Sequence, residues 1–242
     1  MGGLGPAGPH PGREAPAPGG ANRDPGGGGR GGAPTARPGG GNPVDHTGLI
    51  RAFVAAEIPN PVREELGHLA ERLRARGVRA RWVRPDRMHI TVRFLGEIPP
   101  ERFEAVREAL APPLPVAGPV RLTPAGVGTF PPRGRARVLW VGLEGDTAAL
   151  GRCALEVETR LGDLGFPREA RPFRPHITLG RARGPGGIPG LERLGPAERS
   201  YRGTAFEVAH LTLFESRLGP GGPDYIERGR APLGPAADGS PP

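Results

Sequence analysis

Lysine is missing from all 242 residues, so each of the 33 basic side chains is an arginine. Heavy use of Ala, Gly and Pro accompanies it. Together they mark a genome biased toward GC-rich codons, which raises arginine content without a functional cause. The formal net charge of +8 favours an anionic partner, but on these grounds it does not by itself specify nucleic acid. A single cysteine, Cys153, excludes an internal disulfide and any cysteine-based zinc site. It lies among Leu150, Ala154, Leu155 and Val157 in a helical pattern and reads as a buried structural thiol. No apolar run approaches a membrane span, and the N-terminus lacks the apolar core of a secretory signal. A soluble, cytoplasmic protein with no membrane partner is expected.

Apolar periodicity is also absent from Met1 to Thr47, which is mostly Gly, Pro and Ala. Such a segment cannot bury enough surface to offset its ordering entropy and is expected to be disordered. Its Arg13, Arg23, Arg30 and Arg37 are nearly balanced by Glu14, Asp24 and Asp45, so most of the charge falls on the remainder. Residues 236–242 read as a second frayed end. One domain is expected over 48–235, long enough for a well-buried core.

What is present is a short stretch used twice. Met88 to Gly96 contains His89-Ile90-Thr91-Val92, and Pro175 to Arg181 contains His176-Ile177-Thr178-Leu179. Six His and ten Thr in this length give only about 0.25 His-x-Thr triplets by chance. Each copy reads as a strand, where side chains alternate faces. His89 and Thr91 then share one face, with Ile90, Val92 and Phe94 opposite. His176 and Thr178 share a face, with Ile177 and Leu179 opposite. Two such strands would surround a small anion with two imidazoles and two hydroxyls.

The remaining pattern is strand and helix in alternation. Leu49–Ile58 reads as a strand. A helix from Pro61 to Arg76 is predicted by Val62, Leu66, Leu69, Ala70 and Leu73, with Arg63 on its wet face and His68 at the surface. Ala80–Val83 is a strand, and Glu101–Leu110 a helix ended by prolines. Val120–Leu122 is a short strand, followed by a Gly/Pro/Arg loop from Ala125 to Arg135 that contains Phe130. Arg137–Leu143 is a strand with Trp140. Thr147–Leu164 is a helix whose apolar face is read as Leu150, Leu155, Val157 and Leu161. Gly184–Gly190 is a flexible loop. Ala205–Ser216 is one strand holding a structural His210, and Tyr225–Arg230 pairs back after a turn. The fold class expected is α+β: two pseudo-symmetric lobes, each a mainly antiparallel sheet with outer helices, and the site in the cleft between them.

Two histidines with unperturbed pKa values of about 6.5 can be held in opposite protonation states near neutrality. One takes a proton from water while the other gives one to a leaving oxygen, which suits in-line displacement at phosphorus. Thr91 and Thr178 can donate to non-bridging oxygens, and Arg181 adds a forked cation. Phe130 could stack on a base. No metal or other cofactor is required, and the residue set is a poor transition-metal site.

In these motifs the chain resembles the 2H phosphoesterase superfamily, named for paired His-x-Thr-x motifs. More closely it is similar to the bacterial and archaeal RNA 2′,3′-cyclic phosphodiesterases, also called 2′-5′ RNA ligases. The resemblance runs from about Leu49 to Leu233, through Arg51–Pro59, Met88–Gly96, Arg137–Gly142, Phe173–Arg181 and Ser216–Tyr225 in that order. It implies opening of a 2′,3′-cyclic phosphate at an RNA end to a 2′-phosphomonoester. His89 would be the proton donor to the departing 3′ oxygen and His176 the proton acceptor from water. Thr91, Thr178 and Arg181 would hold the phosphate. RNA ends, tRNA halves among them, are the implied partner. The alternatives are the reverse reaction as a 2′-5′ ligase, hydrolysis of a small cyclic nucleotide, and a module that binds RNA ends without chemistry. A monomer is the default.

Overall fold

A computed structural model describes residues 48–234. The two expected tails, 1–47 and 236–242, lie outside the described residues. The elements in order are β1 (Ile50–Glu57), α1 (Asn60–Ala75), β2 (Arg81–Trp82), a 3₁₀ turn (Pro85–Arg87), β3 (His89–Ile98), α2 (Pro100–Leu110), β4 (Leu114–Ala117), β5 (Val120–Phe130), β6 (Val138–Gly145), α3 (Thr147–Asp163), β7 (His176–Arg181), a second 3₁₀ turn (Leu191–Arg193), α4 (Pro196–Arg199), β8 (Phe206–Val208), β9 (His210–Gly219) and β10 (Gly222–Gly234). The strands run β4-β10-β9-β1-β3-β7-β6-β5-β8, with β2 also on β7. Every pairing is antiparallel except that of β10 with β4.

The α+β expectation holds, and the two lobes are visible in this order. β4, β10, β9, β1 and β3 form one, and β7, β6, β5, β8 and β2 the other. They meet where β3 pairs with β7 through Ile90 opposite Ile177. Both isoleucines are fully buried. The two repeated motifs thus form the seam between lobes, and their apolar faces anchor it in the core.

The halves repeat as strand, helix, antiparallel strand: β1-α1-β3 and β6-α3-β7. Each helix is tied to the opposite half. The Glu65 carboxylate on α1 accepts from the Tyr201 hydroxyl and the Thr204 N–H, both at 2.9 Å. Arg160 on α3 donates to the carbonyls of Ala109 (3.2 Å), Pro112 (2.7 Å) and Pro113 (2.8 Å). The apolar stripes that made α1 and α2 legible are buried: Val62, Leu66, Leu69, Ala70 and Leu73 on the first, Phe103, Val106 and Leu110 on the second. Cys153 is fully buried on α3, and burial pushes its thiol up to about 11. His68 is exposed.

Several expectations fail for local reasons. The Ala125–Arg135 loop is largely strand, because β5 continues to Phe130. Its glycines serve the strand: Gly126 (φ +66) sits at a bulge between Ala125 and Val127, and a Cβ on Gly128 would stand 2.3 Å from the Trp140 ring. The Gly184–Gly190 stretch is packed, with Ile188 in the core and Gly190 against the Gly77 carbonyl. The strand expected over 205–216 is two: β8 pairs with β5 in one lobe and β9 with β1 and β10 in the other. The chain crosses between lobes at Ala209.

Two expected core residues face outward. Leu155 is 65% exposed, because the α3 stripe runs through Ala149, Leu150, Cys153, Ala154, Val157 and Leu161. Phe94 is 45% exposed while Arg93 is only 7% exposed. Register shifts against β1 leave Val92 and Leu95 unpaired, and each bulge reverses the alternation.

Candidate active site

Both motif histidines begin a strand, and both are fixed the same way. The His89 Nδ1–H donates to the Arg87 carbonyl two residues upstream at 2.9 Å, and the His176 Nδ1–H donates to the Arg174 carbonyl at 2.7 Å. A carbonyl only accepts, so the hydrogen sits on Nδ1 and Nε2 is the working nitrogen in each neutral ring. The Arg87 backbone is itself held, since its guanidinium donates to the Gly221 carbonyl (2.7 Å) and to Asp224 Oδ1 (3.0 Å) on the β9–β10 hairpin.

The walls of the two imidazoles differ. His89 lies 4.8 Å from the Phe53 ring and 5.2 Å, edge-on, from Tyr225. His176 stands edge-on to Phe130 at 5.0 Å and 6.3 Å from Trp140. Phe130 and Trp140 are themselves 5.0 Å apart, which the bare Gly128 backbone permits. Phe53, Trp140 and Tyr225 were not singled out from sequence. Phe53 alternates with Val54 on a strand apolar on both faces, so nothing in the pattern separates its cleft face from its core face.

The hydroxyls differ as well. Thr91 donates to His89 Nε2 at 3.0 Å, and among the described residues Thr178 makes no such bond to His176. Thr178 instead pairs across β6–β7 with Trp140. Thr91, Phe130 and His176 border one cavity of about 700 Å³.

Burial dominates the electrostatics. It holds the His89 pKa down to about 4 against the Arg87 carbonyl, which favours the charged ring; the charges of Arg181, Arg63 and His176 lower it further. Burial likewise lowers His176, opposed by the Arg174 carbonyl and aided by Arg181. Arg181 is thus close enough to act on both imidazoles, and the two imidazoles are close enough to interact. Burial also raises the Tyr225 phenol. Arg63, assigned above to the wet face of α1, acts on His89 and keeps a buried Nε with no hydrogen-bond partner among the described residues. Only the tertiary fold brings the start of α1 to β3, so no sequence pattern signals it. His210 pairs with Glu57 at 3.2 Å, and Glu57 lies across from His89 in the β1–β3 register. Among the described residues no group of three or more His, Cys, Asp or Glu side chains could hold a metal ion, and no helix is long and apolar enough to cross a membrane.

A cleft with two similarly anchored histidines, each from one half of a repeat, calls for comparison with known proteins. The family model described as LigT-like phosphoesterase matches the chain twice in succession, over residues 56–140 and 141–225. The chain belongs to the LigT-like phosphoesterases, in the 2H phosphoesterase superfamily. Each copy of the match contains one His-Ile-Thr motif. The chain is 32% identical over 179 residues to the RNA 2′,3′-cyclic phosphodiesterase of Methanocaldococcus jannaschii, covering 73% of this chain and 96% of the relative. It is 33% identical over 184 residues to the protein of the same name from Archaeoglobus fulgidus, with the same coverage. The crystal structure of E. coli LigT complexed with 3′-AMP superposes with a TM-score of 0.59 at 26% identity, over 76% of this chain and 98% of that one. In this LigT-like phosphoesterase the duplication extends to the carbonyl that orients each histidine, while the aromatic walls have diverged.

Proposed function

We propose that this phosphoesterase hydrolyses 2′,3′-cyclic phosphates at RNA ends to 2′-phosphomonoesters, with His89 and His176 as its acid and base and no metal. The observation that carries the reading is the matched Nδ1 anchoring of two histidines within range of one arginine. Similarity to relatives named RNA 2′,3′-cyclic phosphodiesterase supplies the substrate class.

In the reaction His176 Nε2 takes a proton from water as its oxygen attacks phosphorus. The P–O3′ bond breaks, and O3′ takes a proton from His89 Nε2–H. The products are a 2′-phosphate and a free 3′ hydroxyl. His89 is neutral in the empty site at pH 7, because its pKa is about 4. A bound phosphate brings the negative charge that favours protonating it. That protonation has a second effect. Nε2 can then no longer accept from Thr91, so the Thr91 hydroxyl turns to a phosphate oxygen. Arg181, Arg63 and Thr178 complete the anion's shell. Phe130 stacks on the terminal base.

The test is an end-product assay in excess chelator, on an RNA oligomer ending in a 2′,3′-cyclic phosphate. A 2′-phosphate is expected. A 3′-phosphate would reverse which oxygen His89 serves. No product would overturn the hydrolase reading.

A further inference from the structure

The cavity bordered by His176 and Thr91 extends well past them. Its volume, about 700 Å³, lies in the upper half of the usual range for ligand sites, roughly 300–1,000 Å³. From Thr91 and His176 it continues between β3, the 168–174 segment and α3. Its far part contains two of the four large apolar side chains exposed among the described residues: Phe94, turned out by the bulges of β3, and Leu155, off the stripe of α3. Half-buried Phe173 joins them.

The charge around this patch is one-sided. Glu158 and Glu169 also border the cavity, but both are engaged by the buried Arg93 at 2.8 Å each. Arg93 also donates to the Pro167 carbonyl, so this one guanidinium fastens the 168–174 segment to β3 and α3. Arg168, Arg171 and Arg174 are exposed along the same segment. None of the three has a carboxylate partner among the described residues. An apolar, partly aromatic floor beside free guanidinium groups is the arrangement that holds single-stranded nucleic acid, bases on the floor and phosphates on the cations.

We infer that this extension is a second nucleotide subsite, which takes the nucleoside on the 5′ side of the one bearing the cyclic phosphate. Its base lies on Phe94, Leu155 and Phe173. The phosphate linking it to the terminal nucleotide lies against Arg168, Arg171 and Arg174. The inference rests on the hydrolase reading and sharpens its substrate: an oligonucleotide end, rather than a free cyclic mononucleotide. The occupant follows from two features, continuity with the cleft that holds the terminal phosphate and the complementary charge of the rim.

The experiment compares uridine 2′,3′-cyclic phosphate with a dinucleotide carrying the same cyclic uridylate at its 3′ end. Wild-type kcat/KM is expected to favour the dinucleotide by about tenfold or more, the usual worth of one stacked base. Leu155→Glu and Arg171→Ala are expected to bring that ratio to within about threefold of unity while leaving turnover of the mononucleotide unchanged. Both positions are exposed, so folding is not at risk. Equal wild-type use of the two substrates would overturn the subsite and leave the hydrolase reading intact. A dinucleotide preference that survives in both variants would place the subsite elsewhere and overturn this assignment. Turnover of neither substrate would overturn the hydrolase reading and the subsite with it.

Discussion

His89 and His176 hold the same place in the same motif, at the head of a strand with Nδ1 on the carbonyl two residues back, yet they sit in different surroundings. His89 is the deeper, set against Phe53 and Tyr225 and capped on Nε2 by its own Thr91. His176 is shallower, faces Phe130 and Trp140, and lacks that cap. The motif fixes tautomer and aim, while the walls supplied by neighbouring strands set basicity. A duplicated strand thus yields two imidazoles oriented alike but unequally buried, and burial lowers the pKa of both.

The strongest way to break this comparison is to remove one member. His89→Ala and His176→Ala should each lower kcat by about 10²–10⁴-fold. The double variant should be little worse than either single, because a proton donor and acceptor act as a unit. Steady-state kinetics with circular dichroism to confirm folding would check this. A double variant showing the product of the two losses would mean that the histidines act independently.

A second approach titrates the pair. The proposed chemistry needs one ionising proton between them, and both pKa values are lowered from the ordinary 6.5, His89 to about 4. As pH rises through the His176 value the pair loses its last proton, and kcat/KM should fall by about tenfold per unit. As pH falls below about 4 both rings are charged, no base remains, and kcat/KM should fall again. The optimum therefore lies on the acid side of 6.5. The kcat profile should have its alkaline limb at higher pH, since bound phosphate favours the charged rings. An optimum of kcat/KM above pH 7.5 would refute the effect of burial.

The smallest effect separates the two hydroxyls. Thr91→Val and Thr178→Val should each cost about tenfold in kcat/KM, near the worth of a hydrogen bond to a charged group. Only Thr91→Val removes a donor to a histidine Nε2. It should therefore raise the His89 pKa in an NMR titration, and Thr178→Val should leave that titration in place.

Much of the scaffold could be read from the chain because periodicity reports burial directly. β1, β3, β6, β7 and the three long helices follow from alternation and from the 3.6-residue stripe. What was hidden depends on backbone irregularity or on remote partners. Bulges at Val92 and Leu95 turned Phe94 outward and Arg93 inward, and no side-chain pattern announces a bulge. Glycines at 126 and 128 look like loop until Trp140 is seen lying against them. β4 was masked by Pro112, Pro113 and Pro115, and its neighbour β10 lies more than a hundred residues away in sequence. The apolar run 205–216 looks unbroken, and only the pairing of its two ends with different lobes reveals the crossing at Ala209. Arg63 was legible as a polar helix residue but not as a neighbour of His89, for that contact exists only once α1 has packed.

The crossing at Ala209 also has a bearing on synthesis. The lobe that holds His89 is made from the two ends of the described chain, with β5 to β8 of the other lobe inserted between them. β1 lies between β3 and β9, and Tyr225 arrives on β10. A nascent chain that has emerged only as far as β8 carries both motifs and all the strands of the inserted lobe, but lacks the hairpin that walls His89 and receives Arg87. Assembly of the walls around the two histidines therefore waits for β9 and β10, of which β9 must pair with residues made more than 150 positions earlier. Long-range pairing of this kind forms slowly, so the His89 side of the cleft is completed only after β9 and β10 have been made.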